Sequence, residues 1–209
     1  MSAAIKIWGR ISSINVRKVV WAAQALQLDF ERVDAGLTFG IVKTPAYLHK
    51  NPNAQIPLLE DGDFTLYESN VIVRYLCAKY SAGAMYPDNL QQRFDAERWM
   101  DWQQTTLNRV TGPAFIQWIR TAPEKRNHEV IAQSVAATQP LLAILDAHLS
   151  RQPYMAGASM TMADIPVATE IHRWWNLPQS RPAYPHIERW YALMLAHPAS
   201  KGVLDIPST

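Results

Sequence analysis

One change in the order of local signals constrains this fold more than any other feature. Ile5-Lys6-Ile7 reads as a short strand, Val16, Val19, Val20, Ala23 and Leu26 recur at helical spacing, and Phe30-Glu31-Arg32-Val33 reads as a second strand. From Gly36 to Asn53 the periodicity is weak and Pro45 and Pro52 intervene, so a loop with a short helix around residues 44–48 is expected. Residues 56–60 and 64–67 flank Asp61-Gly62-Asp63, a hairpin signal, and Val71, Ile72, Tyr75 and Leu76 mark one face of a helix that closes the unit. From Asp88 onward only helical stretches follow, over residues 91–120, 124–149, 162–174 and 187–196.

A βαβ unit followed by ββα, within about eighty residues, is the order of a thioredoxin-like domain with a mixed four-stranded sheet. The pattern therefore predicts two domains, an α/β one over residues 1–81 and an all-helical one over 88–209, separated where Gly83 and Pro87 interrupt the helical signal. Composition supports a packed core: 48% of the 209 residues are hydrophobic and eight are tryptophan. The net charge is +2 and the basic residues are scattered, which argues against a nucleic-acid or anionic-membrane surface. The N-terminal residues lack a basic segment followed by a long apolar one, and no apolar run approaches the length needed to span a bilayer, so a cytoplasmic protein is expected. Cys77 is the only cysteine, which excludes an internal disulfide, and the six histidines show no metal-binding spacing. Cys77 lies on the apolar side of its helix and reads as a buried core residue.

Three segments carry candidate chemistry, and the stretch Asn51-Pro52-Asn53-Ala54-Gln55-Ile56-Pro57, followed by Tyr67-Glu68-Ser69-Asn70, is the leading candidate for a binding site. In Gln55-Ile56-Pro57, the proline is either an ordinary edge-strand residue or a cis proline that leaves the N–H and C=O of Ile56 free to pair with a peptide-like ligand. Glu68-Ser69 lies where the hairpin ends and a helix begins, so Ser69 is expected to be the N-cap, its side chain accepting from a helix N–H. The same place suits an α-amino acid group: the helix N-terminus meets its carboxylate and Glu68 its ammonium. Finally, Ser12, Ser13 and Asn15 open the first helix. Ser13 or Asn15 is a candidate cap, and a serine hydroxyl there can also donate to a bound thiolate.

These segments resemble those of bacterial cytosolic glutathione transferases over essentially the whole chain. The resemblance is carried by Trp8-Gly9-Arg10, residues 13–19, residues 35–40 and residues 68–76. In the plant phi-class members, Ser-x-Asn-Val contains the catalytic serine, and that pattern falls on Ser13. Ser12 is the second choice, and Asn15 would orient the hydroxyl or cap the helix. The resemblance further implies that Gln55, Ile56, Pro57, Glu68, Ser69 and Lys43 bind glutathione, the co-substrate, with no metal. Two departures stand out: Val42 occupies the position of the phi-class histidine that precedes this lysine, and Asn70 replaces the arginine that often follows Glu-Ser. Arg10, Phe115, Trp118 and Arg120 are the candidates for the second-substrate pocket.

The resemblance implies an enzyme of detoxification that lets glutathione's thiolate attack a small electrophile such as an alkyl halide, and it implies a homodimer. Thr161 and Asp164 would form a capping box of structural, not chemical, importance. The alternatives are a glutathione-dependent reductase or peroxidase, whose members more often carry cysteine where Ser13 stands, and a non-catalytic binding protein of the same fold. Joint retention of Ser13, Gln55, Glu68 and Ser69 argues against the latter.

Overall fold

A computed structural model describes residues 5–207; the outermost residues of both expected domains, 1–4 and 208–209, lie outside the described part. Strand β1 (Ile5–Trp8) leads into helix α1 (Ile14–Ala25) and strand β2 (Phe30–Val33), and a 3-10 turn (Leu37–Phe39) precedes helix α2 (Pro45–Lys50). Strands β3 (Leu58–Asp61) and β4 (Phe64–Tyr67) form the hairpin, and helix α3 (Ser69–Tyr80) closes the unit. The sheet has the order β2-β1-β3-β4, with β1 parallel to β2 and antiparallel to β3. Alternation decides which face is buried: Ile5 and Ile7 point into the core, while Lys6 and Trp8 are partly exposed.

Two expected boundaries move. Strand β3 begins at Leu58, not at residue 56, because the register stops at Trp8↔Leu58 and the Ile56–Pro57 bond before it is cis. Helix α2 starts at Pro45 and runs to Lys50, with Thr44 as its cap accepting from the Tyr47 N–H at 3.3 Å. In the hairpin, Asp61 pairs with Phe64, so Gly62, at φ 63°, and Asp63 form the loop.

Beyond the connection, the chain is helical. Gly83, at φ +86°, brings the backbone so close to Asp88 that a Cβ there would lie 2.5 Å from the carboxylate. The first expected long helix is not uniform. It consists of α4 (Leu90–Trp102), a π-helical turn (Gln103–Leu107), α5 (Asn108–Phe115) and a second π turn (Ile116–Arg120). Pro113 inside α5 lacks the N–H of a regular ladder, and the Thr111 hydroxyl donates to the Leu107 carbonyl at 3.1 Å. Helix α6 (His128–Leu149) begins after a separate 3-10 turn, capped by Asn127, which accepts from the N–H groups of Glu129 and Val130.

By length and composition α6 is apolar enough to cross a membrane. Its buried residues nevertheless form a single stripe, Ile131, Ser134, Thr138, Leu142, Leu145 and Leu149, packed on α5 and on α8 (Pro185–Ala196), as in a core helix. Asp146 of α6 also accepts from the first N–H groups of α8, His186 at 2.9 Å and Ile187 at 3.0 Å.

Helix α7 (Asp164–Trp175) is the central support of the helical part, with Asp164 to Trp174 all buried. The reach-back half of the expected capping box forms, Asp164 accepting from the Thr161 N–H at 2.8 Å. The regular helix starts later than expected, however, with Ala163 as its N-cap residue, and the Thr161 hydroxyl accepts from the Ala163 N–H at 3.4 Å. Asp164 also accepts from the Met155 N–H and the Trp190 indole, and burial pushes its carboxyl up to about 6. Because α1 packs on α3 on one side and on α7 on the other, Trp21, Met100, Ile171 and Trp190 belong to one continuous core. Cys77 is fully buried in it, and burial raises its thiol to about 12.

Candidate active site

Two cavities adjoin at the start of α1. The larger, about 480 Å³, lies between the loop after β1 and the far end of α5; the smaller, about 130 Å³, lies between the segment before β3 and the start of α3. Asn15, Gln55 and Ile56 line both.

Ser13 is the N-cap residue of α1, with extended backbone angles (φ −78°, ψ 125°), yet its hydroxyl makes no capping bond. The backbone alone does the local work, its N–H donating to the Arg10 carbonyl at 3.1 Å and its C=O accepting from Arg17 at 3.0 Å. Ser13 and Ser12 both line the larger cavity, at a helix end whose first-turn N–H groups have no intrahelical acceptors.

Ser69 is placed differently from expectation. Glu68 is the N-cap of α3, in the left-handed region at φ 72°, and its carbonyl accepts the first helical bond from Ile72 at 2.9 Å. Ser69 is therefore the first helical residue; instead of accepting as a cap, its hydroxyl donates to Asn15 Oδ1 at 3.3 Å. That bond joins the starts of α1 and α3, the two helix ends that face the cavities. Glu68 and Pro57 line the smaller cavity alongside Ser69.

The remaining candidates separate. Arg10, Phe115 and Arg120 line the larger cavity, together with Gly112 and Ile116 of the same helical run. Trp118, two residues from both Ile116 and Arg120, leaves that face and packs instead under Arg126 (5.2 Å) and against His128. Lys43 is exposed beyond the 3-10 turn and lines neither cavity, whereas its neighbour Val42 does.

Residues 3–78 match the N-terminal domain of glutathione S-transferases and residues 129–193 match their C-terminal domain. Glutathione S-transferase GstB of Escherichia coli is 37% identical over 205 residues, spanning 97% of this chain and 99% of that protein. This chain belongs to the glutathione S-transferase family. Glutathione S-transferase 3 of Zea mays is 33% identical, spanning 98% of this chain and 96% of its own. The solved theta-class transferase of Xanthomonas axonopodis pv. citri, with glutathione bound, superposes over all of both chains with a TM-score of 0.95 and 40% identity. The chain is thus an enzyme, a glutathione transferase with glutathione as co-substrate, built as a thioredoxin-like domain followed by helices. Among the described residues no group of three or more His, Cys, Asp or Glu is placed to hold a metal.

Asn51 and Asn53 belong to the stretch 51–57 that the sequence marks for a ligand, whereas Tyr47 of this transferase had no such signal. Tyr47 and Asn51 both donate to the Gln55 carbonyl, at 2.7 and 2.9 Å, and so hold the turn that presents Gln55 and Ile56. Asn51 in turn accepts from the Asn53 N–H at 3.1 Å, and both asparagines line the smaller cavity.

Behind the larger cavity lies a buried polar network with no local sequence signature. Glu170 accepts from Arg173 and from the Thr111 hydroxyl at 2.5 Å each, and from Gln103 at 2.9 Å. Gln103 also accepts from Lys18 at 2.9 Å. Arg173 reaches the cavity wall beside Asn108, to which it donates at 2.8 Å. Lys18 is completely buried, and desolvation lowers its ammonium to about 7 despite the attraction of Glu170.

Proposed function

We propose that Ser13 stabilises the thiolate of bound glutathione by hydrogen bonding, and that the thiolate attacks a small electrophile, such as an alkyl halide, held in the larger cavity. The observation that carries this reading is the Ser13 hydroxyl, free of any capping bond on the cavity wall at the N-terminus of α1. The energies suffice. Lowering a thiol from about 8.5 to about 6.5 requires about 2.7 kcal/mol. A hydrogen bond to a charged group contributes about 1.5–3 kcal/mol and a helix terminus about 0.3–1 kcal/mol.

In this reading the smaller cavity takes the γ-glutamyl end. Glu68 meets its ammonium group, Ser69 and the start of α3 meet its carboxylate, and Ile56 pairs with the peptide backbone. Its support is that neither backbone polar group of Ile56 has a backbone partner among the described residues. Gln55 and Pro57 shape the same wall, and Asn15 orients the hydroxyls. Lys43 would reach the glycine carboxylate only by extending from its exposed position.

We assign residues 1–81 to glutathione and 88–209 to the second-substrate pocket, in line with the two family matches. A homodimer is supported by Leu90 and Phe94, exposed one turn apart on α4. A cytoplasmic site of action is supported by the single, buried cysteine.

Difference ultraviolet titration of bound glutathione tests the serine. The wild type is expected to give a bound-thiol pKa of about 6.5 and Ser13→Ala about 8.5, with Ser12→Ala staying near the wild type. Equal values near 8.5 in wild type and Ser13→Ala exclude the mechanism.

A further inference from the structure

We infer that the larger cavity selects electrophiles that carry a carboxylate, with Arg10 and Arg120 as its anion-binding pair. The inference rests on the reading above in which that cavity holds the electrophile. Three arginines line it and, among the described residues, no acidic side chain does.

Their situations differ. Arg173 is neutralised by Glu170 at 2.5 Å and donates to Asn108, so its charge is already spoken for. Arg10 and Arg120 take part in no ion pair among the described residues. The Nε of Arg10, like that of Arg173, is buried without an acceptor among the described residues. Burial, and then the like charge of Arg120, weaken the hold of Arg10 on its proton.

Placement suits a planar acid. Arg120 lies over the ring of Phe115 at 5.1 Å, a ring that Arg173 also approaches at 4.8 Å. Arg10 is confined on the other side by Gly36, where a Cβ would lie 3.3 Å from its Nη1 and 3.2 Å from Ile56. A guanidinium fork offers two parallel N–H donors to a carboxylate, and the apolar remainder of the electrophile would lie along Phe115 and Ile116, which also line the cavity.

For an aryl halide of this class, such as 4-chloro-3-nitrobenzoate, the step balances without a further reactant. Glutathione's thiol proton passes to solvent and the thiolate forms a C–S bond at the carbon bearing chlorine. The ring electron pair rests on the nitro group, then expels chloride as the C–Cl bond breaks.

The test compares that acid with 4-chloro-3-nitrobenzamide, reading kcat/KM for each divided by its uncatalysed rate with glutathione. The wild type is expected to favour the acid about 100-fold, and Arg10→Met and Arg120→Met each to cut that preference about tenfold, the size of one charge-assisted hydrogen bond. Both substrates are read on one preparation, so the ratio does not depend on the fraction folded. A wild-type ratio near one overturns the inference while leaving the electrophile site standing; no enhancement for either compound removes both. If the variants raise the KM for glutathione and leave the ratio unchanged, the arginines hold glutathione's own carboxylate and the inference is wrong.

Discussion

The two cavities of this transferase are built on opposite principles. The smaller is assembled from two short stretches, residues 51–57 and 67–69, plus Asn15, and much of its shape comes from backbone held by Tyr47, Asn51 and the cis Ile56–Pro57 bond. The larger shares Asn15, Gln55 and Ile56 with it but is completed by side chains from distant parts of the chain: Arg10 after β1, Phe115, Ile116 and Arg120 at the end of the α5 run, and Arg173 of α7. A site of backbone and short polar side chains reads one constant ligand. A site of long side chains on helices can change its charge and shape with few substitutions, which suits the substrate that varies.

The sharpest way to break that contrast is to remove the support behind the larger cavity. Glu170→Ala leaves Arg173 charged and buried, and a loss of about 3–5 kcal/mol in urea unfolding is expected. Glutathione affinity of the folded fraction should hold, because Glu170 is no part of the smaller cavity's wall; parallel loss of both would mean that the cavities are one unit.

Next in size is a pH effect. Lys18 has a folded-state value near 7 against the ordinary 10.5, so between those limits the unfolded chain binds the extra proton and stability rises with pH. The advantage Lys18 confers is complete only above 10.5 and is lost as pH falls through about 7. Relative to Lys18→Met, the wild type should therefore gain about 2.3 kcal/mol between pH 7 and 9; a difference independent of pH would show that the ammonium stays charged.

At the junction of the cavities, Ser13→Ala is expected to lower kcat/KM at pH 6.5 by about 10- to 100-fold, equivalent to losing one hydrogen bond to a charge. The loss should shrink at pH 9, where glutathione is ionised without help. An equal loss at both pH values would assign Ser13 to binding. The smallest effect belongs to Ser69→Ala, which removes the 3.3 Å bond to Asn15 and should cost about 1 kcal/mol of stability together with a several-fold rise in the KM for glutathione.

Legibility in the sequence followed the range of the interactions. The strands, the hairpin and the helices α1, α3, α7 and α8 were readable because alternation and helical spacing are properties of a few consecutive residues. The breaks in the first long helix were not, since the π turns at 103–107 and 116–120 carry no breaker residue, and Gly112 and Pro113 lie inside the regular helix α5 between them. Ser69 was foreseen in the right place with the wrong bond, because the left-handed turn at Glu68 shifts the helix start by one residue. Trp118 was grouped with Phe115 by proximity in sequence, and the wider spacing of the π turn carries it off the cavity face.

By itself, then, the sequence determined the order of elements, the reach-back of Asp164 to Thr161, the family, and the stretch that forms the smaller cavity. All of these rest on contacts or patterns within a few residues. Tertiary structure alone decided that Ser13 keeps a hydroxyl uncommitted among the described residues, that Asn15 is bound by Ser69, and that Glu170 neutralises one arginine of the larger cavity while Arg10 and Arg120 have no counter-charge among the described residues. Those outcomes depend on which side chains arrive from distant elements, and on the cost of burying a charge that arrives without a partner.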